Sequence, residues 1–458
     1  MDNEQILQII KSQKVYHEKH KASTFKERKN ALKRLYRNIQ LLKQEIFDAL
    51  KTDLGKSEVE SYMTEVGLSL NEIRYMMRHG RRFAKKKRVY TPVSQFPAVG
   101  YKQACPYGNV LVISPWNYPF MLSIEPIADA IAAGNSVILK PSEYSPSVSD
   151  VLKKLVDMTF ERGHVDVVIG GKEECSFLLD QDFDYIFFTG STRVGKIVMQ
   201  KASEHFTPVT LELGGKCPCI VSSDADIKLA ARRIVFGKFL NSGQTCVAPD
   251  YIYCHASVKD KLLAELEREI VVQYGVDPVS NDDYPRLVNQ KQFDVMKGFI
   301  TEKNLLFGGK CKQDNLKIEP TLISSTFDDE SMQDEIFGPI LPIVTFDEID
   351  EAITNINSRP KPLALYLFSK SKKIQDKFMT QCDFGGGCIN DTIMHIAFPG
   401  LGFGGVKQSG MGAYHGKTGF ETFSHYKSIL DKKCFLDLPM RYQPYSKLKY
   451  KIIKMFLK

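Results

Sequence analysis

From Gly108 onward the chain carries five short, continuous apolar runs: GNVLVIS, NSVILK, VDVVIG, DYIFFTG and PVTLEL. Each is separated from the next by a helix-length segment. Apolar runs alternating with helices are what a parallel sheet covered on both faces requires. Polar and glycine residues collect just after the runs, at Ser114-Pro115-Trp116-Asn117, Lys140-Pro141-Ser142-Glu143, Gly170-Gly171 and Thr189-Gly190-Ser191. The carboxyl ends of such strands are where open α/β sheets bind ligands, and a nucleotide-sized site is expected there. A second series begins near Cys219. Helix-like segments at Ala225 to Leu240 and Val258 to Gln273 alternate with strands at Tyr251 to Cys254, Leu341 to Phe346 and Leu363 to Phe368.

The flanking patterns fill in the architecture. Helical periodicity with many Lys and Arg covers the first 50 or so residues, is broken at Asp53 and Gly55, and resumes from about Glu58 to Phe83. Val89 to Gln103 holds Pro92 and Pro97 among β-formers, which suits an exposed edge hairpin. The predicted fold is α/β, with two doubly wound parallel-sheet domains and a small β oligomerisation or bridging element. Residues 1–85 and 108–212 form a Rossmann-like domain carrying the nucleotide-sized site, and 213–390 a second α/β domain. The bridging element takes 86–107 and 413–437, and 438–458 form a basic amphipathic tail. Glycine-rich turns after Asp383 carry the chain back between the domains.

Composition excludes more than it selects. A chain of 458 residues exceeds one core, while 43% hydrophobic and 25% charged residues are ordinary for a globular protein. A net charge of +8, spread among many acids, does not argue for nucleic acid. The run Arg81 to Arg88 reads as a solvated helix end and loop in preference to a membrane or nucleic-acid patch. Ten irregularly spaced cysteines and a polar start point to a reduced, cytoplasmic compartment. Cys217-Pro-Cys219 lacks metal-ligand spacing, so no metal site is expected. No apolar run is long enough to span a membrane. In the tail, Leu448, Ile452, Met455 and Phe456 fall near one helical face, and Lys447, Lys451, Lys454 and Lys458 around the other. Such a helix suits an anionic membrane surface, or equally the cap of a dimer or groove.

Candidate chemistry gathers on loops. Gly190-Ser-Thr-Arg-Val-Gly195-Lys196 satisfies the G-x-x-x-x-G-K pattern, yet Ile197 stands where a magnesium-binding hydroxyl is needed. What remains is a turn opening a helix whose free N–H groups can hold a diphosphate. A helix-like pattern from Ala230 to Gly237 runs into Asn241, Ser242 and Gly243, and just beyond sits Cys246. A thiol on such a loop is either a structural cysteine or a presented nucleophile. Glu212, ending the fifth run before two glycines, is either a turn glutamate or a desolvated general base. Asn117 is either a turn residue or an oxyanion donor. Glu335 precedes a rigid Gly-Pro turn, with Phe337 able to pack on a flat ring.

Taken together, PWNYPF, LKPSE, FFTGSTRVGK, LELGGK, NSGQTCVAPD, EIFGP and the glycine-rich stretch from Phe403 occur in the order found in the aldehyde dehydrogenase superfamily. The chain resembles that superfamily over nearly its whole length. The stretch FGGVKQSGMGAYHGKTGFETFSH looks most like the class 3 (fatty and aromatic aldehyde) branch. The resemblance implies oxidation of a medium- or long-chain aliphatic or aromatic aldehyde to its acid, with NAD as cofactor and NADP accepted less well. It implies Cys246 as nucleophile, Asn117 as oxyanion donor and Glu212 as the base. Lys140 and Glu143 would meet the adenosine ribose; Gly190, Ser191 and Gly195 the diphosphate; and Glu335 and Phe337 the nicotinamide half. Tyr118, Ile393, Met394 and His415 are expected to line the aldehyde entrance, in a homodimer. Cys217 stands where the family often has Asn or Ser. A CoA-acylating relative is the alternative, disfavoured by a water-activating base at Glu212, and a non-catalytic protein on the same fold is a second.

Overall fold

The computed structural model of the chain describes residues 1–457. Its first sheet has six strands in the order Gly410–Met411, Val209–Glu212, Tyr185–Thr189, Asn109–Ile113, Ser136–Lys140, Val165–Val167. All pairings are parallel except at the Gly410–Met411 edge. The five apolar runs are its parallel strands, and they are apolar throughout because each side chain of a doubly covered strand enters a core. In Asn109–Ile113, Val110 and Val112 pack on one face with Leu32, Leu35, Ile124 and Ile127. Leu111 and Ile113 pack on the other with Ile6, Ile10, Val198 and Ala202. The N-terminal helices Asn3–His20, Phe25–Leu41 and Lys43–Leu54 therefore supply cover to this sheet.

The second sheet has seven strands, ordered Leu305–Phe307, Thr321–Ser324, Ile340–Phe346, Tyr251–His255, Pro218–Val221, Ala364–Phe368, Gly386–Ile389, and only the Leu305–Phe307 edge is antiparallel. Alternation again splits its strands between two cores, with Cys219 and Val221 on one face and Ile220 on the other. After Gly386–Ile389 the chain returns to the first sheet at Gly410–Met411, so the glycine-rich segment does carry it back.

Two regions differ in detail from the sequence pattern. The helix anticipated from Glu58 to Phe83 is broken by a π-helical turn, Tyr62–Val66, between Glu58–Ser61 and Gly67–Phe83. The hairpin is shorter on one arm, Lys87–Arg88, and longer on the other, Ala98–Pro106. A third strand, Ser424–Lys432, pairs along the whole of Ala98–Pro106. The tail helix Lys447–Phe456 starts at Ser446, whose hydroxyl accepts the Lys449 N–H, and buries none of its residues. Leu448, Met455 and Phe456 are all exposed on it, and Lys458 lies outside the described residues.

Candidate active site

Helix Ile227–Phe239 ends in three successive left-handed residues, Asn241 (φ 53°), Ser242 (φ 52°) and Gly243 (φ 73°). Gly243 is required, since a Cβ there would sit 2.2 Å from the Gly338 carbonyl oxygen. The strain at two non-glycine residues is held by hydrogen bonds. Asn241 Nδ2 donates to the carbonyls of Asn117 (2.8 Å) and Gln244 (3.1 Å), and Ser242 Oγ donates to the Pro285 carbonyl. Gln244 Nε2 donates to the carbonyls of Asn241 and Arg286, while its Oε1 accepts the Val288 N–H. Thr245 Oγ1 lies 2.6 Å from the Tyr118 hydroxyl. The partly buried Cys246 thus rises from a loop with no slack. Behind it, Cys217 Sγ donates to the Cys246 carbonyl (3.5 Å) and accepts the Ala364 N–H (3.2 Å).

A cavity of about 250 Å³ joins Cys246 to Asn117, Gly190, Ser191, Glu212, Glu335 and Phe337. Seven of the residues singled out in sequence therefore share one enclosure. Asn117 Nδ2 spends one hydrogen on the Gln244 carbonyl (3.1 Å), which leaves its second for the cavity. Glu212 ends its strand with its carbonyl accepting the Gly190 N–H, its side chain only 2% exposed. Neither carboxyl oxygen of Glu212 has a hydrogen-bond partner among the described residues, nor has Oε1 of Glu335. Burial raises the Glu212 carboxyl well above the ordinary range. Burial raises Glu335 too, with Asp250 adding to it. The Cys246 thiol is pushed far up by burial, then by the charges of Glu335 and Glu212. All three acids favour their neutral forms in this buried enclosure.

Glu335 owes its place to residues that no sequence argument singled out. Lys216 Nζ bonds Asp250 Oδ2 (2.5 Å) and the carbonyls of Ser331 and Asp334. Asp250 Oδ1 accepts the Ile336 N–H (3.0 Å), so the pair clamps the segment on both sides of Glu335. Lys216 and Asp250 close the motifs LELGGK and NSGQTCVAPD, a signal that was present but carried no assigned role. Trp116 meets Phe337 edge-on, with centroids 5.4 Å apart.

Lys140 and Glu143 lie at the end of the neighbouring strand, 3.7 Å apart, with Lys140 Nζ on the Pro141 carbonyl and Glu143 reaching solvent. Ser191 caps helix Thr192–Glu204, and Gly195 packs where a Cβ would come 2.6 Å from Leu213. The four residues expected at the aldehyde entrance are not gathered in the thiol cavity. Tyr118 packs with Leu68, Met121 and Leu122. Ile393 is buried and Met394 exposed. His415 is buried, its Nε2 2.9 Å from Glu125 Oε2 and its ring stacked on Phe403.

Against known proteins, the model of the Aldehyde dehydrogenase family matches residues 1–429. The chain belongs to the aldehyde dehydrogenase family. It is 49% identical over 434 residues to the 4,4'-diaponeurosporen-aldehyde dehydrogenase of Staphylococcus aureus, covering 94% of each. It is 44% identical to the human aldehyde dehydrogenase family 3 member B1, covering 91% of this chain and 89% of that one. A solved structure of Staphylococcus aureus AldH in its substrate-bound state superposes with a TM-score of 0.97 at 47% identity, covering 99% of each chain. The enzyme is an NAD(P)-dependent aldehyde dehydrogenase of the class 3-like branch. Its residues fit a dinucleotide. Glu335 Oε1 is a buried acceptor with no partner among the described residues, and a Cβ at Gly214 would sit 1.9 Å from Glu335 Oε2.

Proposed function

We propose that Cys246 is the nucleophile of this enzyme, and that its preferred substrates are medium- or long-chain aliphatic or aromatic aldehydes. The observation carrying this is the single cavity that holds Cys246 with Asn117, Glu212, Glu335 and Phe337. Cys246 loses its thiol proton to water, its Sγ adds to the aldehyde carbon, and the carbonyl oxygen takes the C=O electron pair as an oxyanion. The free Asn117 N–H and the Cys246 backbone N–H donate to that oxygen. A bound nicotinamide dinucleotide supplies the hydride acceptor. The acyl group is then left on Cys246 as a thioester. Glu212 takes a proton from water, which attacks the thioester carbonyl and releases the carboxylic acid and the thiol. Glu335 and Phe337 would hold the nicotinamide half when the dinucleotide is bound, Gly190, Ser191 and Gly195 the diphosphate, and Lys140 and Glu143 the adenosine ribose.

The apolar side chains of Pro115, Trp116, Leu213 and Phe337 around the cavity favour a greasy substrate. The test is NADH formation across a chain-length series and benzaldehyde, with and without CoA, for wild type and Cys246→Ala. Activity in Cys246→Ala, or dependence on CoA, would overturn this assignment. We further propose a cytoplasmic homodimer whose tail helix rests on an anionic membrane. No helix among the described residues is long and apolar enough to cross one. Flotation with anionic liposomes should fall when residues 438–458 are deleted; unchanged flotation ends the membrane reading.

A further inference from the structure

Lys56 is 1% exposed, an expensive place for an ammonium group. All three of its donor directions are spoken for. Nζ bonds Glu65 Oε1 (2.6 Å) and the Asn117 carbonyl oxygen (3.0 Å), and lies 4.0 Å from the centre of the Tyr118 ring. Glu65 is equally buried, and its other oxygen accepts the N–H groups of Phe120 (2.9 Å) and Met121 (3.0 Å). Glu65 lies in the π-helical turn Tyr62–Val66, the one irregularity in this helix, and π-turns gather at functional sites.

The ion pair therefore grips the turn Asn117–Met121 at both ends. The Asn117 carbonyl is gripped twice, since Asn241 of the cysteine loop donates to it as well (2.8 Å). Fixing that carbonyl fixes the peptide plane and with it the direction of the Asn117 side chain. A buried ion pair is weak evidence for stability, because desolvation consumes much of the attraction. Its contacts converge on the backbone of a residue whose amide faces the thiol cavity.

We propose that Lys56, held by Glu65, is a positioning residue that sets the Asn117 amide for the oxyanion formed at Cys246. The inference rests on the assignment of Asn117 and Cys246 above. In K56M/E65Q the amide oxygen introduced at position 65 still accepts from Phe120 and Met121, so what disappears is the set of Lys56 contacts: the bond to the Asn117 carbonyl, the bond to position 65 and the approach to the Tyr118 ring. With aldehyde and NAD, kcat should fall about tenfold to a hundredfold, the scale of a misplaced catalytic group. The rate at which iodoacetamide alkylates Cys246, followed on its own peptide by mass spectrometry, needs the thiol but no oxyanion donor. It should stay within about twofold of wild type. In an N117A background the double substitution should cost no more than about twofold further, because independent effects add and coupled ones do not.

A kcat within twofold of wild type overturns the proposal. So does an equal loss in the N117A background, or a parallel fall in alkylation, since either marks a general structural role. Should K56M/E65Q fail to fold, K56M alone is read by the same three measurements and the same criteria. Failure of the underlying assignment is distinguishable, because then N117A itself leaves kcat unchanged.

Discussion

Glu212→Gln isolates proton acceptance at the proposed base. The carboxyl has no hydrogen-bond partner among the described residues and is 2% exposed, so an isosteric amide breaks no protein contact. The strand holding it is fixed by backbone pairing to Thr189 and Gly410, which the substitution leaves intact. A positioned general base is worth about a hundred- to ten-thousandfold. That corresponds to about 3–5 kcal/mol of barrier. Because Glu212 acts on the thioester, E212Q should still form one NADH per site in a rapid burst and then stall. Rapid-mixing absorbance separates the two phases. Steady-state turnover within tenfold of wild type would pass the base role to Glu335, and loss of the burst would place Glu212 before the thioester. Either result refutes the assignment.

The same substitution makes a stability prediction of definite sign. Burial holds the Glu212 carboxyl well above the ordinary glutamate range, so the folded chain favours its protonated form. For such a group, stability is fully present below the unfolded-state value and is lost as pH rises through the folded one. The amide in E212Q has no carboxyl proton to lose. The Tm of E212Q relative to wild type should therefore climb as pH is raised from the ordinary carboxyl range toward neutrality and beyond.

Gly214→Ala must displace Glu335, whose Oε2 would lie 1.9 Å from the new Cβ. NAD affinity, followed by protein fluorescence, should weaken by about tenfold or more, the scale of a 1–2 kcal/mol steric penalty, and unchanged affinity would detach Glu335 from the cofactor. Glu143 should make NAD the better cofactor, since a carboxylate repels a 2′-phosphate; equal catalytic efficiency with NADP would refute this, and Glu143→Gln should narrow the gap. Glu335→Gln removes a charge that raises the Cys246 thiol, so the pH profile of its alkylation should move to lower pH.

The strands were legible because a sheet covered on both faces writes itself as unbroken apolar runs, as Asn109–Ile113 and Tyr185–Thr189 show. The cysteine loop was legible through its punctuation, since Asn241, Ser242 and Gly243 are residues that tolerate the left-handed backbone they adopt. What was not legible is pairing across long separations. Ser424–Lys432 completes a sheet begun more than three hundred residues earlier, and edge β-formers do not say which strand will join them. Lys56 and Glu65 look in sequence like ordinary surface charges. Only the packed helix turns them inward, and the π-turn has no period that a hydrophobic pattern would reveal.

The cavity's electrostatics bear on the order of its chemistry. Cys246, Glu212 and Glu335 share one buried enclosure, and burial and the carboxylate charges raise the thiol. Coupling of this kind is reciprocal, so a thiolate at Cys246 must also raise its carboxyl neighbours. Both groups cannot be comfortably ionised together. Once the acyl group sits on Cys246 the sulfur carries no charge, and the penalty it imposed on Glu212 is gone. Burial still holds the Glu212 carboxyl up, but beside an uncharged thioester it ionises more readily than beside a thiolate, at the stage when water must be activated. The same residue spacing that disfavours ionising nucleophile and base at once releases the base as soon as the nucleophile has been used.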